Sequence, residues 1–207
     1  MIPNRLLEVA IEQFGRLGFE GASTRDIARA SGTAMSSITY HFGGKEGLYL
    51  AAADHIARQI AEAQAPALAA ARVAAERPER EAAVEALLAI LDGFAQMMLR
   101  PESEPWARFI IREQQAPTEA FDRLYRGAMQ PVAATALLLV ARARPDLTDQ
   151  EARATAVLMM GQAMILRSGR AAACRILGVD ALDAEAGALL RARLRANALC
   201  ILSEKSK

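Results

Sequence analysis

The apolar residues near the start of the chain recur every three or four positions, which is the spacing of a helix rather than of a strand. The members of this first stripe are Leu6, Leu7, Ala10, Ile11, Phe14 and Leu17. They predict a helix over residues 4–17. Gly18 and Gly21 follow and are expected to end it, because glycine readily adopts the left-handed conformation that closes a helix.

Two shorter helical segments come next, over residues 24–30 and 34–41, with Gly32 between them. Ser23 stands three positions before Asp26, which predicts a capping box at the start of the first segment. Thr33 is the predicted cap of the second. Helices this short are marginal on their own in water, so we expect their arrangement to serve an interaction with another molecule.

The rest of the chain keeps a helical pattern. A long alanine-rich helix is predicted from Lys45 to about Ala75, and Pro66 is expected to bend it or end it early. Further helices are predicted over residues 79–99, 106–115, 117–144 with a kink at Pro131, 148–167 behind a capping box of Thr148 and Glu151, and 183–202. No segment alternates as a strand would. The chain is therefore predicted to be all-α, with about nine or ten helices.

Composition supports helices and excludes several classes of protein. Apolar residues make up 53% of the chain, aromatic residues only 5%, and 25 Lys and Arg face 24 Asp and Glu. The overall charge therefore gives no sign of a polyanionic partner. Cys174 and Cys200 lack metal-ligand spacing, the first five residues lack the apolar stretch of a signal peptide, and no apolar run approaches a membrane span. We expect a cytoplasmic protein with no metal, cofactor or membrane partner.

Two short helices joined by a few residues that include glycine are typical of a helix-turn-helix. The second helix of that unit lies in the DNA major groove, and the first crosses the backbone. Helical spacing places Ile27, Ala28, Ile38 and Phe42 where they would pack against Phe14 and Leu17, and it turns Ser36, Ser37 and Thr39 outward. The pattern predicts a DNA-binding domain of three helices over residues 1–48.

Two stretches at fixed spacing extend this prediction to a family. "GFEGASTRDIA" occupies residues 18–28, and "YHFGGKEGLY" occupies residues 40–49. Together with the first helix they resemble the DNA-binding domain of TetR-type regulators. The resemblance implies that Arg25, Met35, Ser36 and Thr39 approach base edges. It also implies that Thr24, Ser37, Tyr40, His41 and Lys45 bind phosphates, contacts that set register rather than sequence preference.

Each of these roles has a structural alternative. His41 would then be a packed or surface histidine, and Tyr40 a cover for the domain edge. Arg25 would pair with Glu20 or Asp26, and Met35 would only begin a helix.

The sequence also departs from the family pattern. Ala34-Met35 stands where many relatives have Ser-Lys, and Thr39 replaces an aromatic residue. Residues 1–50 carry five basic and five acidic side chains, so DNA binding would rest on local placement and on doubling in a dimer, with a modest dependence on salt.

The remaining residues, 49–207, are expected to form a larger helical domain for ligand sensing and dimerisation. Trp106, Phe109, Ile110 and Glu113 share one helix face by their spacing. A carboxylate on an aromatic face either pairs with an arginine, such as Arg108, Arg123 or Arg167, or anchors a ligand. The predicted ligand-binding set is Phe94, Met98, Trp106, Phe109, Ile110, Glu113, Tyr125, Met160, Gln162 and Met164; core packing is the alternative for its methionines.

A second resemblance covers the C-terminal region. "FIIREQQAPTEAF" at residues 109–121 and "GQAMILRSGR" at residues 161–170 are similar to the CecR-like subgroup of TetR regulators. This implies a homodimer built by the last long helices, about 150–168 and 183–203. Its candidate seam is Leu158, Ile165, Leu189, Leu190, Leu194 and Leu199, with an intramolecular core as the alternative.

The sequence therefore predicts a homodimeric, ligand-responsive transcriptional regulator and not an enzyme. Its partners would be a palindromic double-stranded operator, a second copy of itself and a small-molecule effector that releases it from DNA, so that it acts as a repressor. The main alternative is a ligand-binding or adaptor protein whose helix-turn-helix no longer reads DNA. A weaker one is an enzyme with Glu113 as general base.

Overall fold

The computed structural model of the chain describes residues 4–77 and 79–203, apart from the side chain of Asn4. Residues 1–3 lie outside the described residues. They are part of the stretch from which no signal peptide was predicted. The helices are α1 (Asn4–Gly21), α2 (Thr24–Ser31), α3 (Met35–Phe42), α4 (Lys45–Glu76), α5 (Arg80–Leu99), α6 (Glu104–Gln115), α7 (Glu119–Leu124), α8 (Gln130–Ala143), α9 (Asp149–Ser168), α10 (Arg170–Leu177) and α11 (Ala184–Ser203). No strand occurs within the described ranges, and the all-α prediction is confirmed.

Packing divides the chain into two compact units. The first comprises the described parts of Met1–Glu62 together with Glu102–Met129, and the second comprises those of Ala63–Pro101 and Gln130–Lys207. This division differs from the predicted boundary at residues 48 and 49, which separates functions rather than packed bodies. The functional boundary stays a prediction.

The helix ends of the first unit follow the predicted glycine signals, with two corrections. Gly18, at φ 77°, interrupts α1 before its last turn. The Ser23 hydroxyl accepts a hydrogen bond from the Asp26 N–H at 3.4 Å, but the return bond of a capping box is not formed, since Asp26 pairs with Arg29 instead. Gly32 closes α2 in the left-handed conformation. The predicted cap at Thr33 is wrong, because Ala34 precedes α3 and gives it no side-chain cap.

Aromatic rings fill the core of the first unit. Phe14, Ile27 and Ile38 are fully buried. The Tyr49 ring meets Phe14 edge-on with centroids 4.8 Å apart and stacks on Phe109 at 4.6 Å. Leu17 was expected in this core but is 44% exposed, so the buried apolar stripe of α1 ends at Phe14.

The second unit has a separate apolar core formed by the C-terminal part of α4 together with α5, α8, α9 and α11. Its members include Leu87, Leu91, Leu139, Met159, Leu166 and Leu194. Leu194 is thus a core residue, and its placement at the dimer seam is wrong. The Thr148–Glu151 capping box of α9 is confirmed in both directions, whereas α10 was not predicted.

Both prolines expected to disturb helices are accommodated. Pro66 lies exposed in α4, which continues to Glu76; water can hydrate the carbonyl whose N–H partner a proline lacks. A π-helical segment, Tyr125–Met129, comes directly before α8 and its Pro131, and such segments absorb the lost register of a helix.

Two helical stretches, Arg80–Leu99 and Glu119–Ala143, are long and apolar enough to cross a membrane by length and composition alone. This differs from the expectation that no apolar run approaches a membrane span. Core packing accounts for much of the apolarity, because Leu87 and Leu91 of the first stretch and Val132 and Leu139 of the second lie in the core of the second unit.

Candidate nucleic-acid interface

The outward face of α3 carries a continuous set of polar and aromatic side chains. Met35, Ser36, Thr39, Tyr40 and His41 are exposed, Ser37 is half-buried, and Ile38 is fully buried beneath them. Tyr40 is 85% exposed, with its ring centroid 5.0 Å from that of His41. A large ring held this far from any core contributes little to folding, and its phenol is free to meet an outside partner.

Arg25 lies exposed in the first turn of α2, beside the half-buried Thr24. The ion pairs of Arg25 with Glu20 or Asp26, which were the structural alternative, are not formed. Asp26 pairs instead with Arg29 at 2.6 Å, and no salt bridge of Arg25 occurs among the described residues. Its guanidinium is therefore available to an external acceptor.

Lys45, at the start of α4, is already in contact with α1. Its Nζ donates a hydrogen bond to the Glu20 carbonyl oxygen at 3.2 Å and lies 4.7 Å from the centroid of the Phe19 ring. An ammonium has three donors, so two remain for a phosphate. The predicted phosphate role of Lys45 stays a prediction.

The turn between α3 and α4 depends on glycine. Gly43 and Gly44 have φ of 75° and 131°, which side chains other than glycine rarely adopt. A Cβ built on Gly47 would lie 1.8 Å from the Phe42 carbonyl oxygen. The close approach of the two helices, and with it the presentation of α3, therefore requires glycine at residue 47. No separate role was predicted for Gly47 from the sequence.

The predicted ligand-binding residues are divided between the two units. Trp106, Phe109, Ile110, Glu113 and Tyr125 belong to the first, and Phe94, Met98, Met160, Gln162 and Met164 belong to the second. Within the second unit, Phe94, Met98 and Met160 pack against the apolar core. Gln162 accepts a hydrogen bond from Asn197 at 3.2 Å. The ligand roles of these residues stay predictions.

Glu113 is buried, but its partners are not those expected. The Tyr49 hydroxyl donates to Glu113 Oε1 at 2.6 Å, and the N–H and hydroxyl of Thr118 donate to Oε2 at 3.1 and 2.8 Å. The pairs predicted with Arg108 and Arg123 are wrong, since Arg108 binds Glu104 and Arg123 binds Glu119. Burial raises the pKa of the Tyr49 phenol, and the Glu113 carboxylate raises it further.

His55 is another buried polar group, and no role was predicted for it from the sequence. It lies on α4 and is 7% exposed. Burial, with Arg58 nearby, holds the pKa of its imidazole below the ordinary value. In the sequence, this site could have been found from the position of a histidine within the alanine-rich apolar stripe of α4.

Comparisons with known proteins agree with this architecture. Residues 6–52 match the model of the bacterial regulatory proteins of the TetR family, and residues 83–204 match that of the C-terminal domain of the HTH-type transcriptional dual regulator CecR. That regulator in Shigella flexneri is 32% identical over 184 residues, which are 87% of this chain and 82% of the relative.

Two further similarities concern the DNA-binding region and the fold. The HTH-type transcriptional regulatory protein RaaS of Mycobacterium tuberculosis is 48% identical over 64 residues, 31% of this chain and 30% of that protein. A crystal structure of a TetR transcriptional regulator from Chloroflexus aurantiacus has a TM-score of 0.64 at 22% identity, covering 98% of this chain and 94% of its own. The chain belongs to the TetR family of bacterial transcription regulators, and its C-terminal domain is of the CecR type.

Proposed function

We propose that the protein is a homodimeric cytoplasmic repressor that binds a palindromic operator and is released from it by a small molecule. Residues 1–48 of each protomer read the DNA, and residues 49–207 dimerise and sense the effector. The observation that carries the proposal is the face of α3, where Tyr40 and its polar neighbours stand exposed above the buried Ile38.

Contacts to DNA follow from this face. Met35, Ser36 and Thr39 enter the major groove with the N-terminal part of α3, where methyl and hydroxyl groups meet base edges. Arg25 reaches a base edge from α2. Thr24, Ser37, Tyr40, His41 and Lys45 donate to phosphate oxygens and fix the register of the domain.

Exposed apolar side chains on α9 and α11 support dimerisation. Leu158 is 68% exposed and Ile165, Leu189 and Leu199 are exposed as well. Apolar side chains concentrated on two helices in this way mark an interaction surface. A second copy of the chain covers them by the same surface, as in most twofold dimers.

Release by an effector requires two arrangements of the dimer, one that fits the operator and one that does not. A ligand shifts the balance between them only by its difference in affinity for the two. An effector that prefers the arrangement unfit for DNA therefore derepresses the target genes.

Operator binding by alanine variants tests the proposal. DNA upstream of the gene is titrated with the protein in a gel shift, and a selected oligonucleotide library replaces it if the operator lies elsewhere. Arg25→Ala and Tyr40→Ala are expected to weaken specific binding at least about tenfold while the dimer persists, since each good contact is worth ~1–3 kcal/mol. Arg72→Ala, at an exposed position of α4 outside both the DNA-reading helices and the proposed dimer helices, is the matched control. Unchanged binding by both variants contradicts the contact assignment.

A further inference from the structure

A cavity of about 340 Å³ lies within the first unit, where α1, α4 and the start of α6 meet. Its lining residues are Glu8, Ile11, His55, Gln59, Glu102, Pro105 and Trp106. This volume is at the lower end of the range of small-molecule sites. Only Trp106 of this lining belongs to the ligand-binding set predicted from the sequence.

His55 gives the cavity an unused polar group. The side chain is more than nine-tenths buried, and it forms no hydrogen bond or ion pair with any other residue in the described ranges. Its ring nitrogens are not sealed off from the cavity, so they can bond to a molecule that enters it. Its low pKa keeps the imidazole neutral near pH 7, so the ring offers one donor and one acceptor to a molecule in the cavity.

Two carboxylates give the cavity a negative potential. Glu8 comes from α1, and Glu102 comes from the turn before α6. Neither forms a salt bridge among the described residues, and no lysine or arginine lines the cavity. Arg58 lies close enough to His55 to lower its pKa, with Glu8 and Glu62 acting in the opposite direction, but Arg58 does not line the cavity. A cation bound inside would therefore meet two carboxylates and no competing cationic side chain in the wall.

The walls favour an organic cation over a metal ion. Trp106 provides an aromatic surface, the best side chain for attracting a cation to its ring, and Ile11 and Pro105 add apolar surface. No group of three His, Cys, Asp or Glu side chains within residues 4–77 and 79–203 is arranged to hold a metal.

We propose that this cavity binds a protonated organic amine with a small apolar or aromatic body, and that such an amine is the effector. The ammonium group lies between Glu8 and Glu102, the imidazole of His55 bonds to the ligand, and the body packs on Trp106. The effector assignment rests on the proposed function, whereas amine binding does not.

The position of the cavity connects binding to the DNA-reading helices. Glu8 lies on α1, and α4 begins directly after the turn that follows α3. A Cβ on Gly15 would be 3.0 Å from the Pro105 carbonyl oxygen, so α1 and α6 approach closely beside the cavity. A ligand that enlarges it displaces α1 or α6, and its affinity then differs between arrangements of the reader.

Tryptophan fluorescence measures the binding directly, because Trp106 is the single tryptophan of the chain. The full-length protein without DNA is titrated with phenethylammonium to about 10 mM, since a fragment of this size is expected to bind in the millimolar range. Phenethyl alcohol and 3-phenylpropionate are the neutral and anionic controls. We expect saturable change with the ammonium, at least about tenfold weaker binding of the alcohol and none of the carboxylate.

Variants locate the site. Glu8→Gln combined with Glu102→Gln, and separately His55→Gln, should each weaken phenethylammonium binding at least about fivefold. Glu12→Gln, on α1 but paired with Arg108 outside the cavity, should leave it unchanged. Circular dichroism verifies that each variant is folded. The proposed site is overturned if phenethylammonium does not saturate the protein or if 3-phenylpropionate binds more tightly. It is also overturned if the folded cavity variants bind the ammonium as tightly as the wild type.

DNA binding separates the two proposals. Saturating phenethylammonium should weaken the operator complex of the wild type and leave that of the Glu8→Gln/Glu102→Gln variant unchanged. Binding of the amine without any effect on the DNA complex overturns the effector assignment only. A protein that binds the amine but no DNA overturns the proposed function and leaves the amine site standing.

Discussion

The hydroxyl of Tyr49 donates a hydrogen bond of 2.6 Å to the buried carboxylate of Glu113, 64 residues further along the chain. This bond ties α4 to α6 inside the first unit, beneath the stacked rings of Tyr49 and Phe109. Thr118 supplies the other two donors to the carboxylate. A buried carboxylate is tolerated only when its oxygens are satisfied in this way, so the phenol is a structural requirement of the unit.

Tyr49→Phe should therefore destabilise the protein. The variant keeps the ring packing but leaves Glu113 without one of its donors, which costs about 1–3 kcal/mol of unfolding free energy. Urea denaturation at a fixed protein concentration measures the loss. Tyr125→Phe, which removes the hydroxyl of an exposed tyrosine, should stay within about 0.5 kcal/mol of the wild type. Equal stability of the two variants would show that the bond contributes little.

Gly47→Ala should damage the junction of α3 and α4. Its methyl group would overlap the Phe42 carbonyl oxygen, and backbone atoms cannot yield as a flexible side chain does. We expect a loss of about 1–3 kcal/mol in unfolding free energy and loss of operator binding. Gly93→Ala is the matched control within α5, where the nearest atom is 4.0 Å away. The control should stabilise by about 0.5–1 kcal/mol, and stability gains in both would refute the steric argument.

His55 should make the folded state sensitive to mild acid. Its pKa is lower in the folded protein than in the unfolded chain, so the unfolded state binds more protons and stability rises with pH. The contribution is complete above about pH 6.5 and is lost as pH falls through the folded pKa, at a slope of up to ~1.4 kcal/mol per pH unit. The pKa of Asp92 is also lowered, chiefly by its hydrogen bond with Arg191. That carboxyl affects stability only near pH 4 and below, outside the range in which His55 acts.

Urea denaturation between pH 7.5 and about 5 measures this slope. His55→Gln should flatten it, and His41→Gln, which removes an exposed histidine, should keep the wild-type slope. A slope that survives in His55→Gln would assign the sensitivity to other groups.

Leu158→Lys should weaken the dimer. It places a charge among the exposed apolar side chains of α9, which the proposed interface buries, and an unpaired charge at such a site costs several kcal/mol. Sedimentation equilibrium should show a dissociation constant raised at least about a hundredfold. Val73→Lys changes a similarly exposed apolar residue of α4, at 57% exposure, and should leave the mass unchanged. A dimer that persists in Leu158→Lys would move the interface elsewhere.

The sequence predicted a helix well where an apolar stripe at helical spacing follows an N-terminal capping residue. The capping box of α9 is present as expected, and the one predicted at Ser23 is half formed. The helix α10 was not predicted because none of its residues is buried, so it shows no apolar stripe. Only Gly178, which closes it in the left-handed conformation, could have indicated its end.

Contacts between segments far apart in the chain could not be predicted from the spacing of residues within one helix. The position of Glu113 on an aromatic face identified it as unusual, but the partner on α4 is visible only once α4 and α6 are packed together. The prediction that Leu194 lies at the dimer seam failed for a similar reason, because spacing alone cannot distinguish the two apolar faces of α11. His55 became a candidate site residue only when the cavity around it could be seen.

Footprinting of the wild-type protein on its operator tests the central claim most directly. We predict protection of two symmetric half-sites whose centres lie about one helical turn apart, ~34–36 Å, or a multiple of that distance. The protection should disappear with Tyr40→Ala. A folded dimer that gives no protected site on upstream or selected DNA at any salt concentration would contradict the claim and favour a ligand-binding protein with a silent helix-turn-helix.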